Sequence, residues 1–137
     1  MIASRITRII SFSTALVSIM MVTSCAEEGA EPDLPGADRD KYVGSWLCKE
    51  SVNGNQVAAF TINIQKVGQN DSVKVFNFSN VGSGDYAIWL ISGNSITIPA
   101  QTVAGVDFGG TGFYSSGDLD LNYTSDTETL SALCTPN

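Results

Sequence analysis

Few side chains in this sequence are of the types that catalyse reactions or bind metal ions, and the types that are absent exclude several classes of function. The chain has no histidine and three cysteines, Cys25, Cys48 and Cys134. Without histidine, Ser-His-Asp and Cys-His catalysis are excluded, as are the usual zinc, copper and non-haem iron sites. A glycosidase needs two carboxylates that face each other across a cleft, and most carboxylates here fall in turns or near the N-terminus. We therefore expect a protein that is not an enzyme and has no cofactor.

Two patterns resemble binding motifs only superficially. Asp118, Asp120 and Asn122 have the spacing that opens a calcium loop, but the following glycine and the glutamate at the twelfth position are missing. The glycine-rich run 105–112 has neither the lysine nor the helix of a phosphate-binding loop. We expect solvated carboxylates in the first case, close packing or bulges in the second, and no metal site.

The first cysteine follows an export signal. Arg5 and Arg8 precede an apolar run, 9–22, which is shorter than the about 20 residues of a membrane-spanning helix. The run ends in Val22-Thr23-Ser24-Cys25, which resembles the lipobox of bacterial lipoproteins. This resemblance implies that residues 1–24 are a signal peptide, that Cys25 is lipidated, and that the lipid anchors the protein to a membrane.

Residues 25–40 are predicted to be a disordered tether, because this acidic stretch contains prolines and glycines and few apolar side chains. Glu27 and Glu28 resemble the acidic export signal of surface lipoproteins of the Bacteroidetes. That resemblance implies an outer-membrane location with surface display, and a periplasm-facing location is the alternative. Beyond Cys25 the chain keeps five basic and 14 acidic residues, so nucleic acid is not an expected partner.

The rest of the chain has the periodicity of strands. Short β-branched and aromatic segments alternate with turns rich in glycine, asparagine, aspartate and serine. The predicted strands are 42–51, 56–66, 72–80, 85–92, 95–103, 106–114, 118–124 and 128–134. Several of them alternate between one polar and one apolar face, as strands of an antiparallel sheet do. We predict an all-β domain over 41–137, an eight-stranded antiparallel up-and-down meander closed into a barrel.

The other two cysteines lie on the first and last predicted strands. Cys48 shares one face with Trp46, and Cys134 shares one face with Ala132, so both fall in the mostly apolar register. In an exported protein this even pair predicts a disulfide between neighbouring strands, with two unpaired thiols as the alternative.

Two stretches resemble a known family. Tyr42-Val43-Gly44-Ser45-Trp46 is similar to the Gly-x-Trp start of lipocalin-like (calycin) barrels. Residues 88–101 resemble small lipoproteins of the Bacteroidetes, which have a Gly-Asn-x-Ile-x-Ile-Pro-x-Gln hairpin. The resemblance implies a lipocalin-like barrel over 41–137 and supplies no catalytic residues.

The leading hypothesis is that the barrel holds a small apolar or amphipathic ligand in its interior. Side chains at inward positions would then line a pocket, and filling of the interior by those side chains would count against it. By strand parity, the candidate wall residues are Trp46, Phe60, Ile62, Ile98, Phe113, Leu121 and Tyr123.

The alternative hypothesis is a structural or interaction lipoprotein that uses its outer face or loops. The stretch 86–91 is apolar on both faces, which suits adhesion, protein or glycan binding, or protease inhibition. Burial of both faces within the monomer would count against this hypothesis. Separately, Asp71-Ser72-Val73 resembles a short O-glycosylation pattern of some Bacteroidetes, so Ser72 is a candidate glycosylation site.

Overall fold

A computed structural model describes residues 37–137, and most of this part of the chain is β-structure. The strands are β1 (Gly44–Val52), β2 (Asn55–Lys66), β3 (Ser72–Phe76), β4 (Tyr86–Ser92), β5 (Ser95–Val103), β6 (Val106–Ser115), β7 (Asp118–Ser125) and β8 (Glu128–Pro136). Two-residue turns such as Asn53-Gly54 and Ser116-Gly117 have positive φ at both positions. Such turns suit hairpins because their twist matches that of the paired strands.

The strands form one closed barrel in which each strand pairs with the next along the chain and β8 pairs back with β1. All the pairings are antiparallel. The predicted all-β, eight-stranded up-and-down barrel is therefore confirmed. Closure leaves no free strand at the side of the sheet, which removes the unpaired edge that an open meander would expose.

The seam between β1 and β8 holds the two cysteines that the sequence predicts to be paired. Cys48 lies directly opposite Cys134 in the antiparallel register, and both side chains are fully buried. Their sulfur atoms are at disulfide distance, 1.98 Å apart, and join positions that are 86 residues apart in sequence. The bond therefore ties the first strand to the last strand at the point where the barrel closes.

The third strand is shorter than predicted, and a loop replaces its second half. β3 ends at Phe76, and a short 3₁₀ turn, Phe78–Asn80, begins two residues later. Asn77, Ser79 and Asn80 have φ values of 59°, 49° and 60°, in the left-handed region that strands do not use. This backbone turns inward, so that the Phe78 side chain is fully buried inside one end of the barrel.

The other end of the barrel is covered by a 3₁₀ helix, Ala37–Tyr42, which precedes β1. Arg39 in this helix is 4% exposed, and its guanidinium donates hydrogen bonds to the carbonyl oxygens of Val67, Gly68 and Ser72. Residues 37–40 were expected to belong to the disordered tether, and their place in this helix is a correction. The sequence pattern missed it because the partners of Arg39 are in a distant turn.

Three predictions concern residues outside the described part of the chain. They are the signal peptide 1–24, the lipidation of Cys25 and the remainder of the tether up to residue 36. Within residues 37–137, no helix has the length and apolarity that crossing a membrane requires.

Candidate functional site

Six of the seven predicted wall residues point into the barrel. Their side chains are between 0% and 6% exposed and belong to one continuous core, made up here of Trp46, Phe60, Ile62, Ile98, Leu121 and Tyr123. The parity argument therefore placed these six residues on the correct face. These residues do not thereby line a pocket, because other large side chains of the same core pack between them.

The inward assignment of Phe113 is wrong. Its ring is 51% exposed on the outer face of β6, where Phe113 is paired with Ser95 and Asp120. The inward positions next to it are Gly112 and Tyr114, which are paired with Ile96 and Leu119. A glycine at an inward position leaves no apolar side chain to mark the face, so the most apolar residue nearby was assigned to the wrong side.

Aromatic rings fill one end of the barrel interior. The Phe78 ring centre lies 4.6 Å from that of Tyr123, 5.1 Å from that of Phe108 and 5.2 Å from that of Trp89. All four side chains are at most 3% exposed. Such tilted and edge-to-face contacts are the packing that rings adopt in protein cores. A ligand at this end of the interior would have to displace Phe78.

A buried polar cluster holds the Phe78 loop against the barrel wall. The Glu50 carboxylate accepts hydrogen bonds from the Tyr123 hydroxyl and, at 2.8 Å, from the Ser79 hydroxyl. Burial raises the pKa of the Tyr123 hydroxyl well above its usual range, and the hydrogen bond to Glu50 adds to this shift. This cluster was not predicted from the sequence. The available signal was the position of Glu50, two residues after Cys48 on the inward face of β1.

Tyr42 plays a related role at the opposite end. Its hydroxyl donates a hydrogen bond to the Gly93 carbonyl at 2.9 Å, and its side chain is fully buried. Burial raises the pKa of Tyr42 to about 12, and the nearby Asp38 and Tyr114 add to the shift. An unfolded tyrosine titrates near pH 10, so the unfolded chain loses this proton first as the pH rises.

The Tyr42 shift predicts a pH dependence of stability. Its contribution to the free energy of unfolding is fully present below pH ~10 and is lost as the pH rises towards about 12. We expect Tyr42→Phe to be less stable than the wild type at pH 8, with the difference shrinking above pH ~10. Urea unfolding of both proteins at several pH values measures this. Tyr123 is present in both proteins, so its contribution cancels when their free energies of unfolding are subtracted. If that difference does not change with pH, the raised pKa of Tyr42 is contradicted.

The outer face of β3 and β4 carries an apolar patch, which we call the outer strip, formed by Phe76, Tyr86, Ile88 and Leu90. Tyr86, Ile88 and Leu90 alternate with the buried Ala87, Trp89 and Ile91, so they share the outward face of β4. Tyr86 is 42% exposed and Leu90 is 43% exposed. The apolar outward face that the sequence predicts for this strand is therefore not buried within the described chain.

Aromatic contacts organise one end of the outer strip. Phe76 lies directly opposite Tyr86 in the β3–β4 register, and their ring centres are 5.4 Å apart. The Lys74 ammonium lies 4.6 Å from the centre of the Tyr86 ring, a cation–π distance. These contacts hold the two rings in place on the surface.

A groove of about 340 Å³ opens beside Phe76 on the outside of the barrel. It forms where β2 continues past the end of β3, because β3 pairs with β2 only from Asn63 to Lys66. Its lining residues are Thr61, Ile62, Asn63, Gln65, Phe76, Asn77 and Ser83. Ile62 borders the groove although its side chain is buried on the inward face of β2, as predicted. None of the other lining residues was predicted to form a site.

The remaining candidate residues lie elsewhere on the surface. Ser72 begins β3 and is half-buried, while Asp120 and Asn122 are exposed on the outer face of β7 and Asp118 begins that strand. The described residues contain no group of three or more acidic or cysteine side chains placed to hold a metal ion. O-glycosylation of Ser72 stays a prediction.

Comparisons with protein-family models, curated proteins and solved structures find no match for this chain. The closed eight-stranded antiparallel barrel is compatible with the lipocalin-like fold that the Gly-x-Trp opening of β1 implies.

Proposed function

We propose that this protein is an exported, lipid-anchored binding protein of the outer membrane that recognises a surface protein or a glycan through the outside of its barrel. It is not an enzyme. The observation that carries the proposal is the outer strip. On β4, Tyr86 and Leu90 are 42% and 43% exposed, although the opposite face of the same strand is buried in the core.

The outer strip differs from a scatter of single apolar residues on a surface. Its four side chains are contiguous on two paired strands, and two of them are aromatic rings in contact. Contiguous exposed apolar patches on soluble domains are associated with interaction sites. The exposed tyrosine also suits recognition, since aromatic residues are enriched at the centres of protein interfaces.

Binding of a small apolar ligand in the interior has less support. The aromatic rings around Phe78 occupy one end of the barrel, and the 3₁₀ helix with Arg39 covers the other end. A ligand entering at the Phe78 end would have to break the hydrogen bond between Ser79 of that loop and Glu50. Binding on the outside requires no such rearrangement.

Site-specific photo-crosslinking of the full-length protein in its own cells tests the proposal. A photoreactive residue at position 86 or 90 is expected to give a discrete adduct, and one at the exposed Lys49 on β1 serves as the control. Leu90→Ser should lower the yield from position 86 roughly tenfold, because it removes an apolar contact at the end of the strip opposite to the Phe76–Tyr86 pair. Equal adducts from positions 49, 86 and 90 would refute recognition by this face.

The lipid anchor has a test of its own. Cys25→Ser removes the thiol that the lipidation prediction requires, so we expect no incorporation of labelled palmitate and release of the protein from the membrane fraction. Loss of the acyl chains removes about 0.8 kcal/mol of membrane affinity for each buried CH₂ group. Cys48→Ser is the control and should keep the label. Labelling that persists in Cys25→Ser would disprove the assignment.

A further inference from the structure

We propose that the groove beside Phe76 binds a neutral carbohydrate of one or two sugar rings. This inference rests on the proposed function and names the ligand class for part of the same outer surface. The groove adjoins the outer strip, since Phe76 belongs to both.

The lining of the groove selects against other ligand classes. Apart from Ile62, whose side chain faces inward, its lining residues carry hydroxyl, amide and aromatic groups, and none of the seven is charged. An ionic ligand would give up hydration without gaining an opposite charge from these residues. Lys74, opposite Gln65 in the β2–β3 register, is not a lining residue, and its ammonium lies over the Tyr86 ring. A purely apolar ligand would cover the amide groups without offering them hydrogen bonds. A neutral polyhydroxyl ligand that also has an apolar face satisfies both kinds of lining group.

Two amides on β2 form the polar side of the groove. Asn63 and Gln65 are two residues apart and point to the same outward face. The Gln65 amide nitrogen donates a hydrogen bond to the Asn63 amide oxygen at 3.0 Å. This bond orients both side chains and leaves the Asn63 amide nitrogen as a donor and the Gln65 amide oxygen as an acceptor. Adjacent hydroxyls of a sugar offer the complementary acceptor and donor.

Phe76 forms the apolar side of the groove. Its ring is half-buried and is held by the Tyr86 ring, whose centre is 5.4 Å away. Ligand sites commonly combine such an aromatic wall with a few placed polar groups. The C–H face of a pyranose ring gives Phe76 a flat apolar partner, while the hydroxyls on the ring edge reach the amides.

The end of the groove is fixed before any ligand binds. The Asn77 amide nitrogen donates to the Thr61 carbonyl oxygen at 2.9 Å, and its amide oxygen accepts from the Gly82 N–H at 3.0 Å. The left-handed backbone of Asn77, with φ of 59°, turns the chain here and separates β3 from β2. A site that is already shaped binds without the cost of ordering its residues.

Titration of the full-length, detergent-solubilised protein with defined sugars, followed by NMR, tests the inference. We expect saturable binding of at least one of the probes methyl glucoside, N-acetylglucosamine, maltose and cellobiose. Glucuronate, which carries a charge, should bind roughly tenfold more weakly than the neutral sugars. Phe76→Ser and Asn63→Ala should each reduce the affinity roughly tenfold.

The matched control is Asn122→Ala, which removes an exposed asparagine from the outer face of β7, away from the groove. It should leave sugar binding unchanged. No saturable binding of any neutral sugar, or equal losses in Asn63→Ala and Asn122→Ala, would overturn the inference. If the sugars fail while crosslinks from positions 86 and 90 persist, the proposed function stands and the carbohydrate assignment does not.

Discussion

Joint replacement of Cys48 and Cys134 by alanine is expected to lower the free energy of unfolding by about 4.5 kcal/mol. The bond closes a loop of 86 residues, and opening it returns to the unfolded chain the conformational freedom that the link removes. Both side chains are fully buried at the seam, so the loss of their sulfur atoms from the core adds to the effect. Urea unfolding of the purified protein measures the change.

The reduced wild-type protein is the matched control for this experiment, because it keeps both sulfur atoms and lacks only the bond. Its free energy of unfolding should lie between those of the oxidised protein and the double alanine variant, because reduction removes the bond but leaves the buried sulfur atoms in place. A difference below about 1 kcal/mol between oxidised and reduced protein would show that the bond contributes little to closing the barrel.

Gly110→Ala is expected to destabilise the barrel by about 3 kcal/mol. Gly110 lies opposite Tyr123 across the β6–β7 pair. An added Cβ would lie 2.4 Å from the Asn122 carbonyl oxygen and 2.5 Å from the Tyr123 Cα atom. These neighbours are backbone atoms, so the two strands must separate before the methyl group fits.

The neighbouring Gly109 provides the control. A Cβ at this position has its nearest contact at 3.7 Å, an ordinary van der Waals distance. Gly109→Ala should therefore change the free energy of unfolding by no more than about 0.5 kcal/mol. Thermal or urea unfolding of the two variants, measured side by side, gives the comparison. If both variants lose the same free energy of unfolding, the close approach of the strands at Gly110 does not explain the need for glycine there.

Much of the fold could be predicted because its determinants are local. Strands β2 and β7 alternate polar and apolar residues cleanly, so their faces follow from the two-residue period. Every turn between strands except that from β7 to β8 contains a glycine or asparagine with positive φ, and the β7–β8 turn has Asp126 at such a position instead. The cysteine pairing followed from the same period, because it placed Cys48 and Cys134 on the buried faces of the first and last strands.

The parts that could not be predicted depend on contacts between distant residues. The stretch 77–80 has no glycine or proline, so the third strand was predicted to continue to residue 80. Asn77 and Asn80, which tolerate the positive φ found there, are only a weak local signal for a turn. The loop turns there because Phe78 packs against the rings of Trp89 and Tyr123, and because the Ser79 hydroxyl donates a hydrogen bond to the Glu50 carboxylate. Those partners lie on other strands: Glu50 on β1, Trp89 on β4 and Tyr123 on β7.

The candidate site was hidden for the same reason. Its amides lie on β2, its ring is the last residue of β3, and Ser83 comes from the following loop. None of these residues forms a recognisable motif in sequence. The apolar outward face of β4, in contrast, was visible from the alternation of its residues, and it lies directly beside the groove.

The placement of the disulfide also determines how the barrel bears mechanical tension. The N-terminal 3₁₀ helix leads directly into β1, so a pull on the N-terminal side acts first on the hydrogen bonds of Arg39 and Tyr42 and then on Gly44. The strand can peel away only as far as Cys48, where the covalent link passes the load to β8. Beyond that point the force acts on β1 and β8 together, so the barrel cannot unfold strand by strand from its N-terminal end.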